Sequence, residues 1–373
     1  MKILYDFQIF QIQKYGGISR YFFRLLQSIS EFPNVEIYLF QGLNQSGFDW
    51  RAQRSLWRRS ISVSVPQQLA KSSWITAVNY AGLYLFQLLM KRPDILHLTY
   101  YPHKILRPKG TKLVVSLYDM IQELYPEYYA NEATIGLKRK ALFEADLILC
   151  ISESSRKDLL TFYEIDPEKA RVVYLGPTFD SKTLLSENRD HITFPTKRPF
   201  MLYVGLRDSH KNFQAAVMAY SGDRQLVKDF DLLCFGSIPF SASERDLLKK
   251  TGIEKNTYHI AGTDRVLWFC YRQAHLFIYP SLYEGFGFPL LEAMTAGCPI
   301  VASCRGSIPE IMGRAGVLFD PRDESSIADA IKKLAYDETL RQDLVKKGYA
   351  RAKEFSWERA AKETHAAYLD ILS

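Results

Sequence analysis

The sequence predicts an α/β protein built as two Rossmann-like domains, and three observations carry the prediction. At 373 residues and 47% hydrophobic content the chain is long for one core and apolar enough to fill two. Short apolar runs alternate with helix-length amphipathic stretches from end to end, which is the repeating unit of a parallel sheet. A polar stretch at 183–198 lacks periodicity and separates two such arrays, setting domains at 1–190 and 191–354.

The elements follow in order. Residues 2–9 form the first expected strand, and Gly16-Gly17 then introduces a helix over 18–31, with Tyr21, Phe22, Leu25 and Leu26 on one apolar stripe. Further strands are expected at 35–40, 95–99, 112–118, 147–152 and 171–175, with Ser152 placed to cap the next helix. His97, inside the strand at 95–99, reads as a core histidine. Residues 74–90 are apolar and uncharged, but Thr76, Asn79 and Gln87 interrupt them, and they fall short of the roughly 20 residues a membrane span needs. A buried or interfacial helix is expected there. The second domain has expected strands at 200–205, 231–235, 258–261, 276–279 and 300–302, and helices at 325–334, 338–354 and 357–372.

Five cysteines, at 150, 234, 270, 298 and 304, form no C-x-x-C pair and read as reduced core residues of a cytosolic protein. The opening Met1-Lys-Ile-Leu-Tyr-Asp runs directly into a strand, so no signal peptide is expected and the expected location is cytoplasmic. The net charge of +7 is unevenly placed, since residues 1–110 carry 14 Lys/Arg against 5 Asp/Glu. That excess suits an anionic partner. Trp50-Arg-Ala-Gln-Arg-Ser-Leu-Trp-Arg-Arg59 interleaves basic and aromatic side chains, so peripheral contact with the inner face of a membrane is expected through residues 50–90. Nucleic acid is not an expected partner, because no nucleic-acid motif accompanies the charge.

The most specific stretch is Glu284-Gly-Phe-Gly-Phe-Pro-Leu-Leu-Glu292. The apolar run 275–281 reads as a buried strand, Pro289 suits the first position of a helix, and Gly297 and Pro299 end that helix. Glu284 is then in a loop at the carboxyl end of a strand and Glu292 in the first helical turn. Ligands bind at that edge in open α/β sheets, and glycines there let the amides of Phe286, Gly287 and Phe288 approach a sugar or phosphate. A second loop, Gly205-Leu-Arg-Asp-Ser-His-Lys-Asn212, follows a strand at the same edge and offers Arg207 and Lys211 as cations. The metal candidate of interest is Asp229-Phe-Asp231.

The nine-residue pattern resembles the E-x7-E signature of the family-four retaining glycosyltransferases. The resemblance extends over most of the chain, and is diffuse outside this motif and residues 205–212. It implies the GT-B architecture, with the two Rossmann-like domains facing each other across a cleft and residues 355–373 crossing back to the first. By resemblance, Glu284 meets the donor sugar, Glu292 the ribose, and Arg207 and Lys211 the diphosphate, alongside Gly205. Phe286, Gly287, Phe288, Pro289 and Leu290 line the donor. Gly16 and Gly17 form the family's donor loop in the first domain, and backbone groups of Gly262 and Thr263 hold the nucleobase. Asp119 is an acceptor-side or sugar-contacting candidate. Tyr118 stands where relatives often carry histidine, and it cannot titrate near pH 7 as a histidine does. Relatives also often carry arginine where this chain has His210.

The expected function is retaining transfer of a hexose from a nucleoside diphosphate sugar to a saccharide or lipid-linked saccharide acceptor in polysaccharide biosynthesis. UDP-glucose-type donors are placed first and GDP-mannose second. No cofactor and no metal are expected. Two rivals stay open: a nucleotide-sugar epimerase or hydrolase, and a non-enzymatic binder of nucleic acid or anionic surfaces.

Overall fold

Strands that are apolar on both faces must be covered by helices on both sides, and this dictates the architecture of the computed structural model. It describes residues 1–48, 60–90, 92–129, 132–178, 193–207 and 209–373. Contacts divide the chain into one unit of Met1–Gly176 with Ser356–Ser373 and another of Pro177–Phe355. This division falls earlier than the expected 190/191 boundary, and most of the stretch at 183–198 lies outside the described residues.

The first unit holds a parallel seven-stranded sheet. Its strands are β1 (Lys2–Tyr5), β2 (Glu36–Asn44), β3 (Ser60–Ser64), β4 (Ile95–Leu98), β5 (Lys112–Leu117), β6 (Leu147–Cys150) and β7 (Ala170–Val172), in the order β3-β2-β1-β4-β5-β6-β7. The order reverses between β1 and β4, which run in register as Ile3 against Ile95 and Tyr5 against His97. β1 is shorter than expected. Asp6 stops it, because its carboxylate accepts from the Gln8 and Thr99 amides, and a short helix, Gln8–Ile12, follows. β3 was not expected; its residues are mostly polar and it sits at the sheet edge.

The helix Trp357–Leu372, last in sequence, belongs to this first unit and packs against the helix Gly17–Ile29. Polar atoms knit it in. Tyr368 Oη lies 2.6 Å from His97 Nδ1 and 2.9 Å from Tyr5 Oη, and Ser116 Oγ joins His97 Nε2 at 2.9 Å to Tyr21 Oη at 3.1 Å. His97 is therefore the core histidine expected, and burial pushes its pKa down to about 3.

The second unit repeats the plan with six parallel strands: β8 (Phe200–Val204), β9 (Asp231–Phe235), β10 (Thr257–Ile260), β11 (Leu276–Tyr279), β12 (Ile300–Ser303) and β13 (Val317–Phe319), ordered β10-β9-β8-β11-β12-β13. Its reversal falls between β8 and β11. Leu232, Cys234, Leu276, Ile278 and Val301 form the core with Val217, Ile327 and Ile331 from flanking helices. β13, at three residues, is too short to carry a periodic signal. Of the cysteines, 150, 234, 270 and 298 are buried, whereas Cys304 is exposed and is not the core residue expected.

Among the described residues, no helix is long and apolar enough to cross a membrane. The basic and aromatic stretch 50–59 lies outside the described residues.

Candidate active site

The reversal between β8 and β11 opens a crevice at the carboxyl ends of two adjacent strands, the place where doubly wound sheets bind ligands. Loops from both strands meet there. Lys211 ends a short 3₁₀ turn, Ser209–Lys211, ahead of the helix Phe213–Ser221. Its ammonium donates to both Glu284 oxygens, at 2.7 and 2.9 Å. A backbone hydrogen bond ties the same loops together, as the Leu282 amide donates to the His210 carbonyl at 2.7 Å.

Burial by itself would raise the Glu284 carboxyl, but the Lys211 charge and the hydrogen bonds from its ammonium outweigh it and hold the group below the usual carboxylate range. At neutral pH Glu284 is a carboxylate that accepts hydrogen bonds and cannot donate a proton.

Several residues that the sequence did not single out hold this arrangement. The Ser307 hydroxyl donates to the carbonyls of Glu284 and Phe286, each at 2.9 Å. Gly306, at φ +57°, lets the chain pass so closely that a Cβ there would lie 2.9 Å from the Glu284 carbonyl oxygen. Asn212 adopts the left-handed conformation and donates to the carbonyls of Pro280 and Pro321, at 3.1 and 2.7 Å. A signal existed for one of these, since Gly306-Ser307-Ile308-Pro309 has the look of a turn followed by a helix start.

The rest of the motif divides into wall and core. Gly287, at φ +98°, starts the helix Phe288–Ala296, so Pro289 sits at its second residue and not its first. Phe286 is buried and meets Phe355 edge-on at 6.0 Å, while Leu290 is wholly buried. Glu292 is 7% exposed, and its two oxygens accept from Thr178 and Tyr271.

Arg207, expected at the diphosphate, is engaged by protein groups in this structure. Its Nε donates to Glu244 at 2.8 Å, its Nη2 to the carbonyls of Ile238 and Pro239, and its guanidinium stacks 4.8 Å from the Phe240 ring. Glu244 is fixed for this role as part of a capping box with Ser241 at the start of the helix Ala242–Lys250. Arg207 and Glu244 border a hollow of about 360 Å3 with Gly205, Gly236 and Ser243. The structure thus brings Lys211 to Glu284 and engages Arg207 elsewhere.

Gly205, at φ +129°, and Gly236 end β8 and β9 on this same edge, and Gly262 and Thr263 follow β10. A Cβ on Gly262 would lie 2.7 Å from Val266. The Asp229-Phe-Asp231 candidate sits at the other edge, where β9 begins. Asp231 accepts from Arg198, Thr196 and Asn256, and Asp229 from Gln225 and Tyr336. Among the described residues no group of three His, Cys, Asp or Glu side chains could hold a metal ion.

In the first unit, Gly16 caps the helix Gly17–Ile29. The Tyr118 hydroxyl donates to the Thr99 carbonyl at 2.8 Å, and its ring packs among Tyr21, Tyr100 and Tyr101. Burial raises its pKa further, so it is a neutral wall residue. Asp119 caps the next turn by accepting from the Ile121 amide at 3.1 Å, and its carbonyl accepts from buried Lys138.

Comparison with known proteins follows the same division. Residues 15–177 match the model described as Glycosyltransferase Family 4, and residues 186–351 the model described as Glycosyl transferases group 1. The chain is 28% identical over 281 residues to the O-antigen chain mannosyltransferase B of Escherichia coli, covering 72% of each. It is also 28% identical to a serotype-specific mannosyltransferase WbdA of that organism, and spans 32% of that longer relative. Sucrose-phosphate synthase from Thermosynechococcus elongatus superposes with a TM-score of 0.74 at 18% identity, over 99% of this chain and 98% of that one. Anabaena Alr3699/HepE, solved with UDP and glucose, gives 0.70 at 16% identity over 98% of both. Both likenesses bear on the fold, which is GT-B.

Proposed function

We propose that this chain, which belongs to glycosyltransferase family 4, transfers a hexose with retention of configuration from a nucleoside diphosphate sugar to a saccharide or lipid-linked saccharide in polysaccharide biosynthesis. The observation that carries the reading is the Lys211–Glu284 pair at the second unit's sheet reversal. Departure of a nucleoside diphosphate builds negative charge on phosphate oxygens, and a fixed ammonium at the crevice stabilises that charge as it develops. Lys211 thereby does the work that a divalent metal does in other transferases.

Glu284, held ionised, accepts hydrogen bonds from donor-sugar hydroxyls and takes no part as a proton donor. The departing phosphate is left to take the acceptor's proton on the same face. Glu292 keeps lone pairs for a ribose hydroxyl beside the bonds from Thr178 and Tyr271. Arg207 would have to leave Glu244 to reach a phosphate, so its nearer role is to wall the hollow beside Gly205.

Mannose carried by GDP is the donor we favour, because the relatives matched over most of this chain are named mannosyltransferases. That reverses the order set on sequence grounds. A lipid-linked acceptor would put the chain in peripheral contact with the cytoplasmic face of a membrane.

The test is thermal stabilisation by GDP, UDP, ADP and dTDP in EDTA. A ligand at about 100 times its dissociation constant stabilises by roughly 2.7 kcal/mol. A shift with GDP that vanishes in Lys211→Ala is expected, a shift with UDP alone moves the donor to UDP-glucose, and no shift with any sinks the reading. Product that forms without an acceptor would identify the epimerase or hydrolase rival.

A further inference from the structure

The helix Ser73–Leu89 is apolar on both sides. Its buried side carries Ile75 and Leu83 together with Asn79 and Gln87, and its solvent side carries Trp74, Val78, Tyr84, Leu85, Leu88 and Leu89, exposed by 47% to 82%. At 100° per residue these positions, with exposed Ala77 and Ala81 between them, form one stripe along the whole helix. No charged residue interrupts it between 72 and 90.

Hydrogen bonds fix this orientation. Asn79 Nδ2 donates to the Leu43 carbonyl at 3.0 Å and its Oδ1 accepts from the Leu43 amide at 2.8 Å, beside the irregularity in β2 at Phe40–Gly42. Gln87 donates to the Leu106 carbonyl at 2.8 Å. Rotating the helix to hide the leucines would break both anchors and leave backbone groups unpaired.

Beside the apolar stripe lies a groove of about 510 Å3 lined by Tyr84, Leu88, Arg92, Ile105, Pro108 and Lys109. Arg92 meets only the Lys109 carbonyl, at 3.5 Å, and neither residue has a carboxylate partner among the described residues. Lys104 stands at the flank of the helix, where its amide donates to the Tyr80 hydroxyl at 3.1 Å. Arg107, also on the groove, is paired with Asp146.

From this juxtaposition we infer that the outward face of Ser73–Leu89 docks on an anionic phospholipid bilayer, with the apolar stripe in the acyl boundary and Arg92, Lys104 and Lys109 at headgroup phosphates. The inference deepens the proposed function by locating its membrane contact on this helix. Charge complementarity selects the occupant: an apolar face rimmed by Arg92, Lys104 and Lys109 fits an interface of hydrocarbon and phosphate better than a second copy, whose like cations would be brought close to it.

Flotation with vesicles of phosphatidylcholine alone, and with a third phosphatidylglycerol, tests this on the full chain. Binding to the anionic vesicles is expected to exceed that to neutral ones at least tenfold. Leu85→Glu with Leu88→Glu should abolish it, and Lys104→Glu with Lys109→Glu should remove the preference for anionic lipid. Nucleotide-induced thermal shift, measured on each variant, reports folding and the donor site separately, and is expected to be unchanged. Equal binding to both vesicles, no binding to either, or a dimer in light scattering that the leucine variant dissolves would overturn the inference. A lost nucleotide response with intact flotation would instead strike at the proposed function alone.

Discussion

The two units reverse strand order in the same way and put different chemistry at the reversal. Between β8 and β11 stands an ion pair, Lys211 with Glu284. Between β1 and β4 stands a lone acid, Asp6, 2% exposed, whose oxygen accepts from the Thr99 amide at 2.8 Å and hydroxyl at 2.5 Å. Burial pushes Asp6 up to about 6, against the pull of those bonds, whereas the charge of Lys211 wins at Glu284 and holds it low. One topology therefore yields a charged site that persists at neutral pH and an acid close to losing its charge. The lesson is that the reversal supplies a place, and the residues facing it decide its electrostatics.

The largest expected effect breaks the comparison from the Asp6 side. Asp6 binds its proton more tightly folded than unfolded, so its contribution falls as pH rises from about 4 to 6. His97 is the opposite case: its folded pKa is depressed to about 3, so its contribution is full above about 6.5 and is lost as pH falls. Within the first unit the two slopes nearly cancel between pH 4 and 6. Asp6→Asn removes one of them, and the unit should then lose about 3 kcal/mol on acidification from pH 6 to 4. Peptide-resolved hydrogen exchange, followed on β1 and β4, reads this directly; a first unit whose response to pH is unaltered by Asp6→Asn would refute the assignment.

Next in size is Lys211→Ala, which should lower turnover at least about a hundredfold, equivalent to roughly 2.7 kcal/mol of transition-state stabilisation. Initial rates with donor and acceptor measure it, and near-normal turnover would remove the second reversal from catalysis. Tyr368→Phe strips the hydroxyl shared by His97 and Tyr5 and should cost the first unit about 1–2 kcal/mol, seen as faster exchange in β4 with the second unit unchanged. Gly306→Ala should cost upwards of about 1 kcal/mol, from its positive φ and the close Glu284 carbonyl. A fall in turnover severalfold beyond its effect on thermal midpoint would show that loop placement matters to catalysis.

Much of the fold was legible because parallel strands are local apolar runs: β4, β5, β9 and β11 each stand where such a run stands in the sequence. β3 and β13 were not, because an edge strand needs no apolar alternation and three residues carry no period. Asp6 ended β1 early through an amide of β4's loop, a contact across more than ninety positions that no local pattern encodes. In the site, Glu284, Lys211 and Gly287 were legible because each lies in a compact motif at a strand's carboxyl end. The present partners of Arg207 were legible only in part. Ser241 and Glu244 spell a capping box, yet only the fold shows that the same carboxylate reaches back to Arg207. Ser307 and Gly306 escaped notice because they act on the Glu284 backbone and leave its side chain alone.

The helix Trp357–Leu372 has a consequence for biosynthesis. Residues Pro177–Phe355, a whole unit, are translated between β7 and the helix whose Tyr368 completes the first unit's buried network. During synthesis the first sheet must wait with His97 and Tyr5 short of a partner while the second unit emerges with all its strands. A nascent chain halted near residue 355 would hold a second unit complete in sequence beside a first unit whose helix Gly17–Ile29 lacks its cover, and chaperones should engage the amino-terminal half longest although it leaves the ribosome first.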